Sequence, residues 1–176
     1  MRRVFASLLL LAPLLAACGK IEEPIVPELK GKWGAPGIMK AIDQKRQARV
    51  EPAAMKAVTP TTHEDMCRVS HVTFGKSAIR VNALGFGFSL FEVTGVKREG
   101  SRIILSGTVD KKDPASSGKI ELMVRNGEVR FDDIYDASGR SIKYERVPEG
   151  ERVRSYGAAT VGEAMGLFLN VKPCPV

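Results

Sequence analysis

From Val69 onward, apolar and polar positions alternate with period two, the spacing of a half-buried β-strand. Val69 to Phe74, Ser77 to Ala83 and Phe86 to Val96 are the first three such runs. Arg102 to Asp110, Lys119 to Arg125, Glu128 to Tyr135 and Ser141 to Val147 bring the expected number of strands to seven. Ile103, Leu105 and Val109 share one strand face, and so do Ile120, Leu122 and Val124. Val129, Phe131 and Tyr135 are expected on one face, as are Ile142 and Tyr144. The connections are short and carry turn residues: Gly75-Lys76, Glu99-Gly100, Asn126-Gly127 and Asp136-Ala137-Ser138-Gly139. Asn126-Gly127 is the strongest hairpin signal, because both residues tolerate the positive φ of a type I′ turn. Short links make neighbouring strands antiparallel. The pattern therefore predicts a mainly β fold, an antiparallel meander that is closed or half-closed into a barrel.

Two segments have helical rather than strand spacing. Between Pro36 and Val58, Ile38, Met39, Ala41 and Ile42 recur on one side, with Lys40, Lys45, Arg46 and Arg49 outside. Pro36 suits a first helical turn and Pro52 ends the pattern. Near the C-terminus, Thr160-Val161-Gly162-Glu163 matches a capping box, with the threonine as cap and the glutamate reaching back three residues later. Val161, Ala164, Met165, Phe168 and Leu169 then form an apolar stripe that should cover an open face or end of the sheet.

The first residues follow neither pattern. Arg2 and Arg3 precede an apolar run, Val4 to Ala17, that ends at Leu15-Ala16-Ala17-Cys18. A spanning helix needs about 20 apolar residues. This run is too short and has the flanks of a signal sequence. It resembles the precursor of bacterial lipoproteins, whose lipobox cysteine is acylated after cleavage. The resemblance implies that residues 1–17 are removed, that Cys18 carries acyl chains into a membrane, and that residues 18–28 tether a single domain at 29–176. Several chains are ample, since stable anchoring takes two lipid signals. Lipoproteins with aspartate directly after the cysteine tend to remain at the inner membrane. Here that residue is Gly19. In a cell with two membranes the resemblance thus implies the periplasmic face of the outer membrane.

A second, shorter likeness lies at Leu29-Lys30-Gly31-Lys32-Trp33-Gly34. A Gly-x-Trp near the start of a small β domain resembles lipocalin-like barrels, in which the tryptophan plugs one end. The alternative is a lone Trp33 packed on the core. The helical texture after Pro36 departs from that family, which has strands there.

Charge and cysteines refine the partners. The net charge of +7 becomes +5 once Arg2 and Arg3 are removed. A mildly basic surface suits anionic envelope components. The basic residues are scattered and form no nucleic-acid recognition motif. With Cys18 lipidated, Cys67 and Cys174 remain. An oxidising compartment pairs them as a disulfide, the alternative being two free thiols. The bridge would staple Pro173-Cys174-Pro175 to the start of the strand region.

Candidate chemistry is sparse. His63, Cys67 and His71 are spaced four apart and would share a helix face, a possible zinc or copper set. The strand expected from Val69 instead puts Cys67 and His71 ~13 Å apart, at ~3.3 Å per residue. No metal and no cofactor are therefore expected. Asp132, Asp133 and Asp136 cluster at a strand end, but the first two should point to opposite faces, and Asp136 has the character of a turn former. No Gly-x-Ser-x-Gly nucleophile motif is present. In Gly85-Phe86-Gly87-Phe88-Ser89-Leu90-Phe91, large residues alternate with small ones. Glycines in a strand mark either a bend or a close approach to the backbone. Trp33, Gly85, Phe86, Gly87, Phe88 and Phe91 are thus the candidate ligand or partner face.

These features make the chain a non-catalytic envelope lipoprotein, a binding or accessory subunit of an outer-membrane assembly with a protein partner. A carrier or sensor of an apolar ligand is an alternative. A third, by likeness in size and anchor, is a lipoprotein inhibitor of a lysozyme or protease.

Overall fold

The computed structural model describes residues 23–41, 62–83, 86–110, 112–152 and 157–175. Cys18, Gly85 and residues 42–58 of the expected N-terminal helix lie outside these. The described residues form one antiparallel sheet of eight strands in the order β7-β6-β5-β4-β3-β2-β1-β8. They are β1 (Trp33–Gly34), β2 (Ser70–Phe74), β3 (Ala78–Ala83), β4 (Phe86–Glu99), β5 (Arg102–Thr108), β6 (Ser117–Arg125), β7 (Glu128–Asp136) and β8 (Lys172–Pro173). Between β1 and β2, residues 36–41 are helical, with Ile38 and Ala41 buried and Lys40 exposed. Further α-helices among the described residues are α1 (His63–Val69), α2 (Glu149–Arg152) and α3 (Val161–Leu169).

Strands β2 to β7 form the expected meander. At the β6–β7 link Asn126 and Gly127 have φ of 51° and 72°, the left-handed values that a two-residue I′ hairpin demands. The seventh expected strand, Ser141 to Val147, is not one. It turns at 143–144 and forms no ladder, its strand-like pairing being two isolated bridges, Tyr135 with Ser141 and Arg146 with Thr160. Two short strands take its place. Trp33 pairs with Val72 on one side and Pro173 on the other, so the chain's beginning and end extend the sheet beyond β2. Neither was legible in the sequence, because two residues carry no period.

Three bulges set which side chains face inward. In the β3–β4 pair Ile79 opposes Phe91 and Arg80 opposes Ser89, so Leu90 is the extra residue. In the β4–β5 pair the extra residue is Thr94. In the β6–β7 pair Leu122 opposes Phe131 and Glu121 opposes Asp133, leaving Asp132 extra. Each insertion reverses the alternation beyond it. Ile134, opposite Ile120, is therefore the buried residue late in β7, and the expected position of Tyr135 on the face of Val129 and Phe131 is corrected. Val109 follows β5 and is exposed, so it does not join Ile103 and Leu105 in the core.

The core lies between the inner sheet face and α3. Val72, Phe74, Ile79, Val81, Phe91, Ile103, Leu105, Ile120, Leu122 and Val129 fill the sheet side. Met165, Phe168 and Leu169 of α3 meet them. The capping box closes the start of α3: Thr160 Oγ1 accepts from the Glu163 backbone N–H, and Glu163 accepts from the Thr160 N–H. Trp33 is buried against Phe74 edge-on, with ring centroids 6.2 Å apart, and its indole N–H donates to the Leu29 carbonyl at 3.2 Å. The sheet is half-closed. Val171, the residue before β8, bridges Val129 of the opposite outer strand, β7.

Candidate functional site

The phenylalanines of β4 lie in alternate rungs of the β3–β4 pair. Phe86 opposes Ala83, Phe88 opposes Val81 and Phe91 opposes Ile79. Directly opposed residues share a face, and Ala83, Val81 and Ile79 are all buried. Phe86, Phe88 and Phe91 therefore all belong to the core face. Only the bulge at Leu90 makes this possible, because Phe88 and Phe91 are three apart in sequence. Their surroundings differ along the strand. Phe91 is fully buried, Phe88 is 42% exposed and Phe86 is 78% exposed. The core face thus runs out into solvent at one end of the sheet.

Helix α3 partly roofs that end. Phe168 meets Phe88 edge-to-face, with centroids 5.9 Å apart. The edge-to-face packing of aromatic rings here sets the inner border of the open end. Across the same row, Ala83 opposes Ser70 of β2. Ser70 is buried, and its hydroxyl finds no hydrogen-bond partner among the described residues. Gly87 faces outward opposite Asn82, and a Cβ there would meet nothing closer than the Val81 carbonyl, at 4.0 Å. Trp33 is not part of this end. It pairs with Val72 in the middle of β2 and belongs to the buried core.

A second region, outside the sequence-based expectations, is a cleft of about 910 Å³ between the 36–41 helix, α3 and the start of β7. Its floor is Phe131, with Tyr144 exposed at the rim. The Lys143 ammonium lies 5.9 Å from both ring centroids and donates to the Asp132 backbone carbonyl. Two glycines bring the walls together: Gly37 against the Leu167 backbone and Gly162 against Lys143. Two of the cations here are engaged by one carboxylate, as Glu128 accepts from Arg130 at 2.6 Å and pairs with Lys172 at 2.9 Å. Those contacts hold the Glu128 carboxyl below its ordinary range, the Lys172 bond contributing most.

The aspartate cluster separates into three independent tasks. Asp132 lies 3.7 Å from Arg102. Asp133 accepts from the Ser141 hydroxyl at 2.8 Å and from the Ile134 N–H. Asp136 holds its own turn, accepting from the hydroxyl and N–H of Ser138 and from Arg140. Those bonds, the Ser138 hydroxyl first, lower its carboxyl to about 2.

Cys67 and Cys174 stand at disulfide distance, with sulfurs 2.07 Å apart and Cα atoms 5.8 Å apart. They tie α1 to the tail just beyond β8. The strand expected from Val69 begins one residue later, and α1 runs back to His63, so His63 and Cys67 do share a helix face. His63 Nε2 is 3.7 Å from the Cys67 sulfur. His71 is turned elsewhere: its Nδ1 lies 3.2 Å from the Cys67 backbone carbonyl and donates to it. Burial, followed by the nearby Lys32 charge, lowers the His71 pKa.

No protein family, characterised protein or solved structure matches this chain. Among the described residues, no helix is long and apolar enough to cross a membrane.

Proposed function

We propose that the chain is a lipid-anchored lipoprotein of the bacterial envelope, held by Cys18 at the periplasmic face of the outer membrane. In this reading the domain acts without catalysis, as a binding or accessory subunit that receives a protein partner. The observation that carries the reading is the open end of the sheet, where Phe86 stands 78% exposed on the core face. A core-facing aromatic left in water is the kind of surface that association covers. The Cys67–Cys174 pair supports the compartment, because such bridges persist where thiols are oxidised. Packing favours a surface partner over an enclosed apolar ligand. Phe74, Phe91, Ile79, Leu105, Ile120 and Leu122, all fully buried, occupy the space that a carrier would leave open.

The test is a photoreactive phenylalanine analogue placed at position 86 of the full chain in cells. The expected result is one adduct of defined mass with an envelope protein, weakened by Phe88→Ser. Irradiation that yields no adduct, or only lipid adducts, contradicts the reading.

A further inference from the structure

The disulfide is not isolated from other ligand atoms. His63, Cys67 and Cys174 each offer one donor atom, and these three atoms lie within 4.8 Å of one another. We propose that reduction converts the Cys67–Cys174 bridge into a three-ligand site for a thiophilic cation of the zinc class, with His63 as the third ligand. The proposal goes beyond the function argued above and does not depend on it.

Three features of the chain carry this inference. Helix α1 places His63 four residues before Cys67, so the imidazole and the sulfur rise from the same helix face. The C-terminal tail brings the second sulfur from 107 residues away, held by β8 pairing with β1 and by the Cys174 N–H donating to the Lys32 carbonyl at 2.9 Å. Gly34 of β1 closes the third side. A Cβ there would fall 2.8 Å from the His63 ring and 3.0 Å from the Cys67 sulfur. The absence of a side chain at position 34 thus lets the backbone close against the cluster. Two thiolates and an imidazole within one cation's reach select soft d¹⁰ ions over calcium or magnesium. The fourth position would fall to water.

The chemistry balances with one reductant. A dithiol donor passes two electrons and two protons to the S–S bond, becoming a disulfide itself, and Cys67 and Cys174 become thiols. A divalent cation then displaces both thiol protons and binds the two thiolates. His63 Nε2 now donates to the Pro173 carbonyl, 2.7 Å away. Ligation through Nε2 would exchange that bond for the metal and move the ring proton to Nδ1. His71 takes no part, since its Nδ1 faces the Cys67 backbone carbonyl.

The intact chain is reduced with dithiothreitol, freed of reductant without oxygen, and titrated with Co²⁺ and then Zn²⁺. The expected result is thiolate-to-cobalt charge-transfer absorption that saturates at one ion per chain and is bleached by Zn²⁺. The oxidised chain should show none. His63→Gln keeps a donor for the Pro173 carbonyl but should weaken binding at least about 10–100-fold, the loss typical even of an outer partner of a ligand. His71→Gln should bind like the parent. A reduced chain that takes up no metal, or equal affinity in His63→Gln and the parent, overturns the proposal.

Discussion

Val129 and Val171 exchange both backbone hydrogen bonds, at 3.0 and 2.9 Å, across the gap between the first and last strands of the sheet. This single rung is what makes an open eight-stranded sheet half-closed. It also fixes where α3 lands, because Val171 follows that helix by two residues. Val171→Pro removes one of the two donors and leaves the buried Val129 carbonyl without its partner. The expected cost is about 1–3 kcal/mol, the penalty for an unsatisfied buried backbone group. Urea denaturation measures it, and faster amide exchange at Val129 should accompany it.

Gly107 and Gly118 oppose each other across β5 and β6. Neither has room for a side chain. A Cβ at Gly107 would sit 1.9 Å from the Glu92 carbonyl, and one at Gly118 would sit 2.0 Å from the Tyr135 carbonyl. Each obstacle is backbone and cannot rotate away. Gly107→Ala and Gly118→Ala should each destabilise the fold by about 1–3 kcal/mol or more, as overpacking does. Gly87→Ala, with open space around it, should leave the denaturation midpoint almost unchanged.

Loss of the Cys67–Cys174 bridge should lower stability substantially. For a separation of 107 residues the chain-entropy account gives up to about 4.7 kcal/mol. The Cys67→Ser/Cys174→Ser double variant should show this as a lower urea midpoint. Limited proteolysis should then cut the end of the tail first, since beyond Val171 the two-residue β1–β8 pairing, the Cys174 N–H bond to Lys32 and the Lys172–Glu128 pair are what remain to hold it.

Two groups give the fold opposite reasons to weaken in acid. His71 is held neutral by burial and by Lys32, so its folded pKa lies below the ordinary 6.5. Its contribution is complete above pH 6.5 and declines as the unfolded chain protonates below that value. Asp136 is held ionised, its folded value of about 2 lying below the ordinary 3.8. Its contribution is complete above 3.8 and is lost as the pH falls towards 2. Stability measured against pH should therefore fall in an upper, His71 step and a lower, carboxylate step that Asp136 shares with Glu128, whose carboxyl is also lowered. His71→Gln should flatten only the upper step, and Asp136→Asn should reduce only the lower.

The meander was legible because its strands alternate cleanly and its turns carry Asn126-Gly127 and Asp136 to Gly139. The capped helix from Val161 to Leu169 was legible for the same local reasons. What the sequence concealed is the effect of inserted residues. A bulge has no composition of its own, so Leu90 and Asp132 looked like ordinary members of the alternation. One insertion moved Tyr135 off the core face, and the other put Phe91 in line with Phe86 and Phe88. The candidate face was therefore visible as a row of aromatics but not as the exposed end of the core. The proximity of His63 to the bridge was hidden because the sequence pattern did not predict the short helix His63–Val69, which places His63 and Cys67 on the same face.

The most direct test of the account is the intact mass and N-terminal sequence of the chain isolated from the cell envelope. The account predicts a chain that begins at Cys18, carries fatty acyl groups on it, and is two hydrogens lighter for an oxidised Cys67–Cys174 pair. A chain that begins at Met1 with an unmodified Cys18 and two free thiols would contradict it.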